Sequence, residues 1–242
     1  MKTHPKQSFL MGAAGVLAVM AVMLTPVSSH AIPEVDFNIV APTTGSISYA
    51  GSGGSLVGSA IEVDSLVGLD TALHNFVTAI CVSCVLDFST GPLTGTTGDS
   101  WAFGGGVGSF ITITGGLDFL DAPDVPTGTV LMSGSFGDAT VLKVGSTFTI
   151  AGGSFFDTKH AAILSYYGFD PSAPFIGGFN ISFNAAAFPP DAFASSIVLS
   201  GDVVNWAVPE PGTILLLGSG LVGLAARFGW AHHRLRRRSG QA

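Results

Sequence analysis

The apolar residues between positions 32 and 206 follow a two-residue period, and this pattern constrains the fold more than any other feature of the chain. In one run, Phe179, Ile181 and Phe183 alternate with polar residues. Such alternation is typical of a strand with one buried face, and no stretch of this segment shows the spacing of an amphipathic helix. The pattern therefore predicts an all-β fold, a single-domain antiparallel β-sandwich or jelly roll of about eight or more strands.

Four short runs are the clearest strand candidates, because each is rich in β-branched or aromatic residues. They cover residues 109–114, 129–134, 146–150 and 178–183. Small-residue pairs between the runs predict turns, namely Gly115–Gly116, Gly137–Asp138 and Gly152–Gly153. Phrases of Gly, Ser and Phe recur near positions 104, 134 and 152, which leaves a β-solenoid as the alternative fold. The unequal intervals between these phrases favour the sandwich.

Charged residues are sorted along the chain in a way that predicts export. All 16 acidic residues lie between Glu34 and Glu210, and this stretch contains only two Lys. The remaining basic residues lie near the two ends of the chain. An acidic body excludes nucleic acid as a partner. Basic ends that flank apolar runs indicate segments that engage a membrane.

The first 31 residues have the three parts of a secretory signal peptide. Two lysines precede an uncharged apolar run over residues 9–24, and Pro26 ends that run. Ser29 and Ala31 then place small residues where a signal peptidase reads the chain. We therefore predict cleavage after Ala31, so that the exported β-domain covers residues 32–206.

Residues 207–238 form a second segment with three parts. Val208, Pro209, Glu210 and Pro211 come first, a Gly- and Leu-rich span covers residues 212–231, and the basic cluster is Arg234, Arg236, Arg237 and Arg238. About 20 apolar residues suffice to cross a bilayer as a helix. The arginines keep their end in the cytoplasm. The segment therefore predicts a transmembrane helix that anchors an exported protein, at least transiently, at the cell envelope.

This tripartite end, together with the signal peptide, resembles the PEP-CTERM sorting signal of exported bacterial proteins. The resemblance is confined to about residues 207–238. It implies an exosortase-type enzyme as a partner, with Pro209, Glu210 and Pro211 as its recognition and processing site. Two prolines would hold that site extended and accessible to an enzyme at the membrane surface.

Cys81 and Cys84 are the two cysteines of the chain, and they lie in a predicted strand region. Export favours a structural disulfide between them, with inert thiols as the alternative. A straight strand would separate their Cα atoms by about 10 Å, beyond the reach of a bridge. A disulfide therefore requires a turn or a bulge at this point. The context of a redox motif is missing, and one cysteine pair is a poor zinc site.

The sequence contains no motif that assigns a catalytic residue, a cofactor or a metal ion. The acidic residues Asp118, Asp121 and Asp124 match no calcium-binding spacing and are interpreted as solvated loop residues. We therefore expect a non-enzymatic surface or extracellular-matrix protein whose β-domain has a structural or interaction role.

Two alternatives remain open. A carbohydrate-binding module, with extracellular polysaccharide as its partner, requires an exposed aromatic row, for which Trp101, Tyr166 and Tyr167 are the candidates. A secreted hydrolase requires that acidic residues converge in a cleft.

Overall fold

The computed structural model describes residues 32–208, which form ten β-strands and one short α-helix. The elements are β1 (Glu34–Ile39), β2 (Ser46–Tyr49), β3 (Ser55–Leu69), β4 (Thr78–Thr97), β5 (Ser100–Gly104), β6 (Phe110–Asp118), β7 (Val125–Val144), β8 (Thr147–Lys159), α1 (Ala161–Tyr167), β9 (Phe175–Ala185) and β10 (Phe193–Ala207). The prediction of an antiparallel all-β fold is confirmed. The predicted signal peptide over residues 1–31 and the predicted membrane span over residues 212–231 lie outside the described residues.

All ten strands belong to one sheet, and each of its pairings is antiparallel. The pairings lead from β3 through β4, β6, β7, β8, β9, β10 and β1 and back to β3. The two packed sheets of the predicted sandwich are therefore replaced by one continuous sheet around one core. The antiparallel pairings also argue against the solenoid, whose coils pair in parallel.

The strands are longer than the sequence pattern suggested, because three predicted turns lie inside them. The four predicted runs are confirmed as parts of β6, β7, β8 and β9. The glycine pairs were expected to separate these runs, but each lies at a shift of strand register inside a strand. The shifts occur at Gly115 in β6, between Phe136 and Asp138 in β7, and between Ile150 and Gly153 in β8. A glycine in a strand often marks a bulge, which bends and twists the strand without ending it. The turn predictions at these pairs are therefore wrong.

The core is built from aromatic rings that lie against glycines of the sheet. Four such contacts join a glycine to a buried ring, in the pairs Gly58 and Phe88, Gly68 and Tyr167, Gly153 and Phe179, and Gly177 and Phe155. A Cβ atom at any of these glycines would overlap the ring. The glycines therefore provide the space into which the rings pack, which gives a close-packed interior from large side chains.

One end of the core is covered by α1, which the sequence analysis did not predict. His160 caps its first turn, with Nδ1 accepting a hydrogen bond from the backbone. The hydroxyl of Tyr167 donates to the carbonyl oxygens of Leu66 and Val77, at 3.1 Å each. Seven residues are too few to show a clear helical period, and tertiary contacts supply the stability that so short a helix lacks. Residues 32–208 include no helix that is both long and apolar enough to cross a membrane.

The glycine contacts lead to a direct test of the core. Gly177→Ala places a methyl group against the ring of Phe155, and we expect the free energy of unfolding to fall by about 1–3 kcal/mol, the usual cost of overpacking. Gly95→Ala is the matched control, because Gly95 lies in β4 with open space around its Cα. Urea unfolding of both variants gives the comparison. Equal midpoints for the two variants would contradict this account of the core.

Candidate functional site

The two ends of the described chain lie side by side. β1 and β10 pair antiparallel, which places Glu34 opposite Trp206. Just beyond β10, the backbone N–H of Val208 donates a hydrogen bond to the carbonyl oxygen of Pro174 (2.9 Å). The segments that precede residue 32 and follow residue 208 are therefore attached at the same end of the sheet.

The outer surface next to this end carries an exposed apolar row. Trp206 in β10, Ile176 in β9 and Phe156 in β8 are direct cross-strand neighbours. Their side chains are 38%, 37% and 64% exposed. We call this surface the outer β8–β10 face, and define it by Phe156, Ile176, Trp206, Ser154, Gly178, Val204, Asn180 and Asp202.

The same face contains a shallow groove beside the apolar row. In register, Val204, Gly178 and Ser154 form the second row, and Asp202 and Asn180 form the third. A pocket of about 210 Å³ lies at Gly178, with Trp206 on one side and the polar residues Asn180 and Asp202 on the other. The groove is thus lined by an aromatic ring, by a glycine at its base and by two polar side chains.

Carboxylates determine the electrostatics around this groove. Asp36 in β1 lies next to Val204 in register, and one of its carboxylate oxygens is buried without a hydrogen-bond partner among the described residues. The pKa of Asp36 is raised to about 7, mainly by burial and to a lesser extent by the nearby charges of Asp202 and Glu34. At neutral pH, the surroundings of the groove are therefore acidic, with Asp36 shared between its charged and neutral forms.

The aromatic residues that the sequence analysis proposed as a sugar platform are not exposed. Trp101, Tyr166 and Tyr167 are 1%, 4% and 0% exposed, so they belong to the core. The exposed row that the carbohydrate-binding alternative required of these three residues is therefore absent, and they show the core packing that is the commoner fate of large rings. The outer β8–β10 face was missed because its members lie far apart in sequence. The one local sign was the doublet Phe155–Phe156, which breaks the alternation of β8.

A second pocket, of about 290 Å³, lies beside α1, and His74 and Ser165 are among the residues that line it. The ring of His74 stacks on Tyr166 with centroids 3.9 Å apart. Its Nδ1 lies 2.6 Å from the carbonyl oxygen of Tyr166, and its Nε2 lies 3.2 Å from Oδ1 of Asp121. Since both ring nitrogens are engaged, neither is placed to accept a proton from Ser165, which also lines the pocket.

The three loop acids have separate surroundings. Oδ1 of Asp124 accepts a hydrogen bond from the backbone N–H of Phe119 (3.2 Å), and Asp121 faces His74. All three acids are exposed. Within residues 32–208, no group of three or more acidic, His or Cys side chains is placed to hold a metal ion.

An ion pair lies inside the sheet near the same end. Nζ of Lys159 contacts Oδ1 of Asp157 and donates to Oδ1 of Asn205 at 2.9 Å, and it lies 4.6 Å from the ring centre of Phe175. Both charged side chains are fully buried. Burial lowers the pKa of Lys159 to about 8 against the opposing effect of Asp157, and burial raises the pKa of Asp157.

The structure joins Cys81 and Cys84 by a disulfide bond within β4. Their Cα atoms are 5.4 Å apart, about half the separation expected in a straight strand. Ser83 between them has a positive φ of 54°, and the pairing of β4 with β6 shifts register between Val82 and Val85. The bulge that a bridge requires is therefore present at this point of the strand.

Comparison with known families identifies the segment that follows the sheet. The family described as the PEP-CTERM protein-sorting motif matches residues 207–229. The chain carries a PEP-CTERM sorting motif. Comparison with curated proteins and with solved structures finds no match to this chain.

The PEP-CTERM motif marks an exported protein that is sorted through an exosortase. Its first residue, Ala207, is also the last residue of β10, so the motif begins where the sheet ends. Of the motif residues that the sequence analysis named, Val208 is described. The other residues to which the sequence assigned a role in processing or orientation lie outside the described residues, namely Ala31, Pro209, Glu210, Pro211, Arg234, Arg236, Arg237 and Arg238.

The buried ion pair leads to a pH-dependent prediction. Lys159→Met leaves the Asp157 carboxylate buried without its cation, and we expect a loss of about 3–5 kcal/mol in the free energy of unfolding at pH 8. Lys159 lowers the pKa of Asp157 against the larger effect of burial, so its removal raises that pKa further and the folded variant holds the proton up to a higher pH than folded wild type does. The loss should therefore be smaller at pH 5 and grow as the pH rises.

The double variant Asp157→Asn/Lys159→Met is the control, because no buried charge remains in it. We expect it to be more stable than Lys159→Met at pH 8, as measured by urea unfolding. If both variants unfold at the same urea concentration at pH 8, the pair does not stabilise the fold by charge compensation.

The cysteine geometry leads to a labelling test. In protein collected outside the cytoplasm and denatured without reductant, we expect no reaction of Cys81 or Cys84 with a maleimide, and two labels after reduction. The closed loop is short, so loss of the bridge should cost only about 2 kcal/mol. Cys81→Ser should give one label without reductant, which calibrates the mass-spectrometric readout. Two labels on the unreduced wild type would refute the disulfide.

Proposed function

We propose that this protein is a bacterial surface or extracellular-matrix protein whose β-domain has a non-catalytic role in structure or binding. A signal peptide over residues 1–31 directs its export. An exosortase-type enzyme then recognises Pro209, Glu210 and Pro211. The span over residues 212–231 holds the protein in the membrane until that step, with the arginine cluster in the cytoplasm.

The observation that carries this proposal is the position of the PEP-CTERM motif relative to the fold. The motif starts at Ala207, directly at the end of β10, and the predicted signal-peptide cleavage site adjoins residue 32 at the same end of the sheet. A domain held by one end presents the rest of its surface away from the membrane. This arrangement suits a protein that acts at the cell surface through binding.

The described residues also favour a binding role over catalysis. His74, the one histidine that faces a carboxylate, has both ring nitrogens engaged. Asp36 and Asp202 lie near each other, but on a shallow outer face rather than in a deep cleft that would exclude water from a reaction. The alternative of a secreted hydrolase therefore has little support. The alternative of a carbohydrate-binding module is favoured by the exposed row of Phe156, Ile176 and Trp206.

Replacement of the three recognition residues tests the sorting proposal. Pro209→Ala/Glu210→Ala/Pro211→Ala leaves the signal peptide and the apolar span intact, so we expect export to continue. Loss of both prolines lets the segment join a helix, so recognition should fail. The protein should then accumulate in the membrane fraction of the native host with its C-terminal end still attached. An epitope placed after residue 242 and detected after fractionation measures this outcome.

The control replaces Arg234, Arg236, Arg237 and Arg238 with Ala. These charges hold the end of the chain in the cytoplasm, so their loss should weaken the retention of the protein in the membrane. The triple variant, in contrast, should be retained in the membrane and fail only in processing. Equal retention of the epitope in the membrane by wild type and the triple variant would show that residues 207–238 act only as an anchor.

A further inference from the structure

We infer that the outer β8–β10 face binds a neutral, extended polysaccharide, with the rings of Phe156 and Trp206 stacked against sugar rings. This inference rests on the proposed function in one respect, since it names the partner of the binding role assigned to the β-domain. It concerns residues that the sequence analysis did not select. Its evidence is the arrangement of one surface of the sheet.

The spacing of the two aromatic residues is the first argument. Phe156 and Trp206 lie on the same face, in register, with the single strand β9 between them. Two strand-to-strand steps place them about 9–10 Å apart. This distance is comparable to the length of a disaccharide unit in an extended chain. Two rings on a line across the strands therefore suit alternate sugars of one polysaccharide chain, whose C–H faces stack on aromatic rings.

The floor of the groove is the second argument. Gly178 lies between Ser154 and Val204 in register, directly beside the apolar row. A Cβ atom at Gly178 would lie 3.4 Å from the ring of Trp206, so the absence of a side chain keeps one part of the indole uncovered. Sites for small ligands combine apolar walls with a few polar groups that fix orientation. The groove at Gly178 has the apolar wall and the open floor that this requires.

The polar row supplies the third argument. Asn180 and Asp202 are cross-strand partners at the edge of the groove. Among the hydrogen bonds of residues 32–208, none uses the side chain of either residue. The Asp202 carboxylate accepts hydrogen bonds, and the Asn180 amide both donates and accepts. Vicinal sugar hydroxyls, which donate and accept in turn, match this pair.

Charge decides between classes of partner. The described residues contain two basic side chains, Lys143 and Lys159. Lys159 is buried in its ion pair, and Lys143 lies 4.1 Å from the ring centre of Phe188. The face therefore includes the acid Asp202 and lies beside Asp36 on the neighbouring strand β1, and none of its defining residues is basic. Anionic polysaccharides and anionic lipid headgroups would be repelled from it, whereas a neutral glycan would not.

Affinity electrophoresis of the full chain tests the inference. The protein is solubilised from membranes of the native host in a mild detergent and run in native gels that contain hydroxyethylcellulose, glucomannan or alginate. We expect retarded migration in at least one of the two neutral polysaccharides and none in alginate. The measured quantity is the apparent dissociation constant, from the retardation as a function of polysaccharide concentration.

Three variants locate the binding surface. Trp206→Ala removes one stacking ring and should weaken binding about tenfold, the effect of losing one central aromatic anchor. Gly178→Thr fills the groove with a strand-compatible side chain, keeps both rings, and should weaken binding to a similar degree. Phe110→Ala is the matched control, because Phe110 is an exposed aromatic residue of β6 outside the face, and it should bind as wild type. Circular dichroism and urea midpoints show that each variant is folded.

Four outcomes would overturn the inference. The first is that neither neutral polysaccharide retards folded wild type, and the second is that alginate alone retards it. The third is that wild type and both face variants bind equally well. The fourth is that sedimentation shows a dimer that Trp206→Ala dissociates, because the face would then be buried between two copies of the protein. Flotation with phosphatidylcholine vesicles is a separate experiment. If wild type binds the vesicles but no polysaccharide, and Trp206→Ala no longer binds the vesicles, the face contacts the membrane instead. Polysaccharide binding is measured on purified protein and sorting by the epitope, so either proposal can fail without the other.

Discussion

The packing of aromatic rings into glycine gaps is the interaction on which the rest of the structure depends. A single sheet of ten strands must bend strongly to enclose a core, and several of the large rings in that core lie over a glycine of the neighbouring strand. Gly153 meets both needs, since it lies at a register shift of β8 and makes room for Phe179. The glycine–ring contacts thus give one structural use for the high content of Gly and Phe, 33 and 18 residues.

The bent sheet also determines how the two ends of the described residues lie relative to each other. Because β1 and β10 are neighbours in one sheet, both attachment points lie at one end of the domain. The match to the PEP-CTERM motif begins at Ala207, the last residue of β10, so the segment through which the protein is sorted starts where the sheet ends. Ala207 therefore belongs both to the sheet and to the sorting motif.

The distribution of charge follows from the same architecture. Lys159 is used inside the sheet to compensate Asp157, and Lys143 lies over aromatic rings. None of the residues that define the outer β8–β10 face is basic, and Asp202 on it is acidic. An acidic, partly aromatic surface next to the sorted end disfavours anionic partners, which makes the outer β8–β10 face informative about the class of partner.

The sequence by itself determined the strand-forming pattern, the antiparallel all-β class and the sorting motif, because period-two alternation and the residues Val208 to Pro211 are local signals. Only the tertiary structure decided that the strands form one sheet, that Gly115, Gly137 and Gly152 lie within strands, and that Trp101, Tyr166 and Tyr167 are buried. It also brought Phe156, Gly178 and Trp206 together. The physical reason is that strand register joins residues distant in sequence, and burial depends on which face of the finished sheet encloses the core.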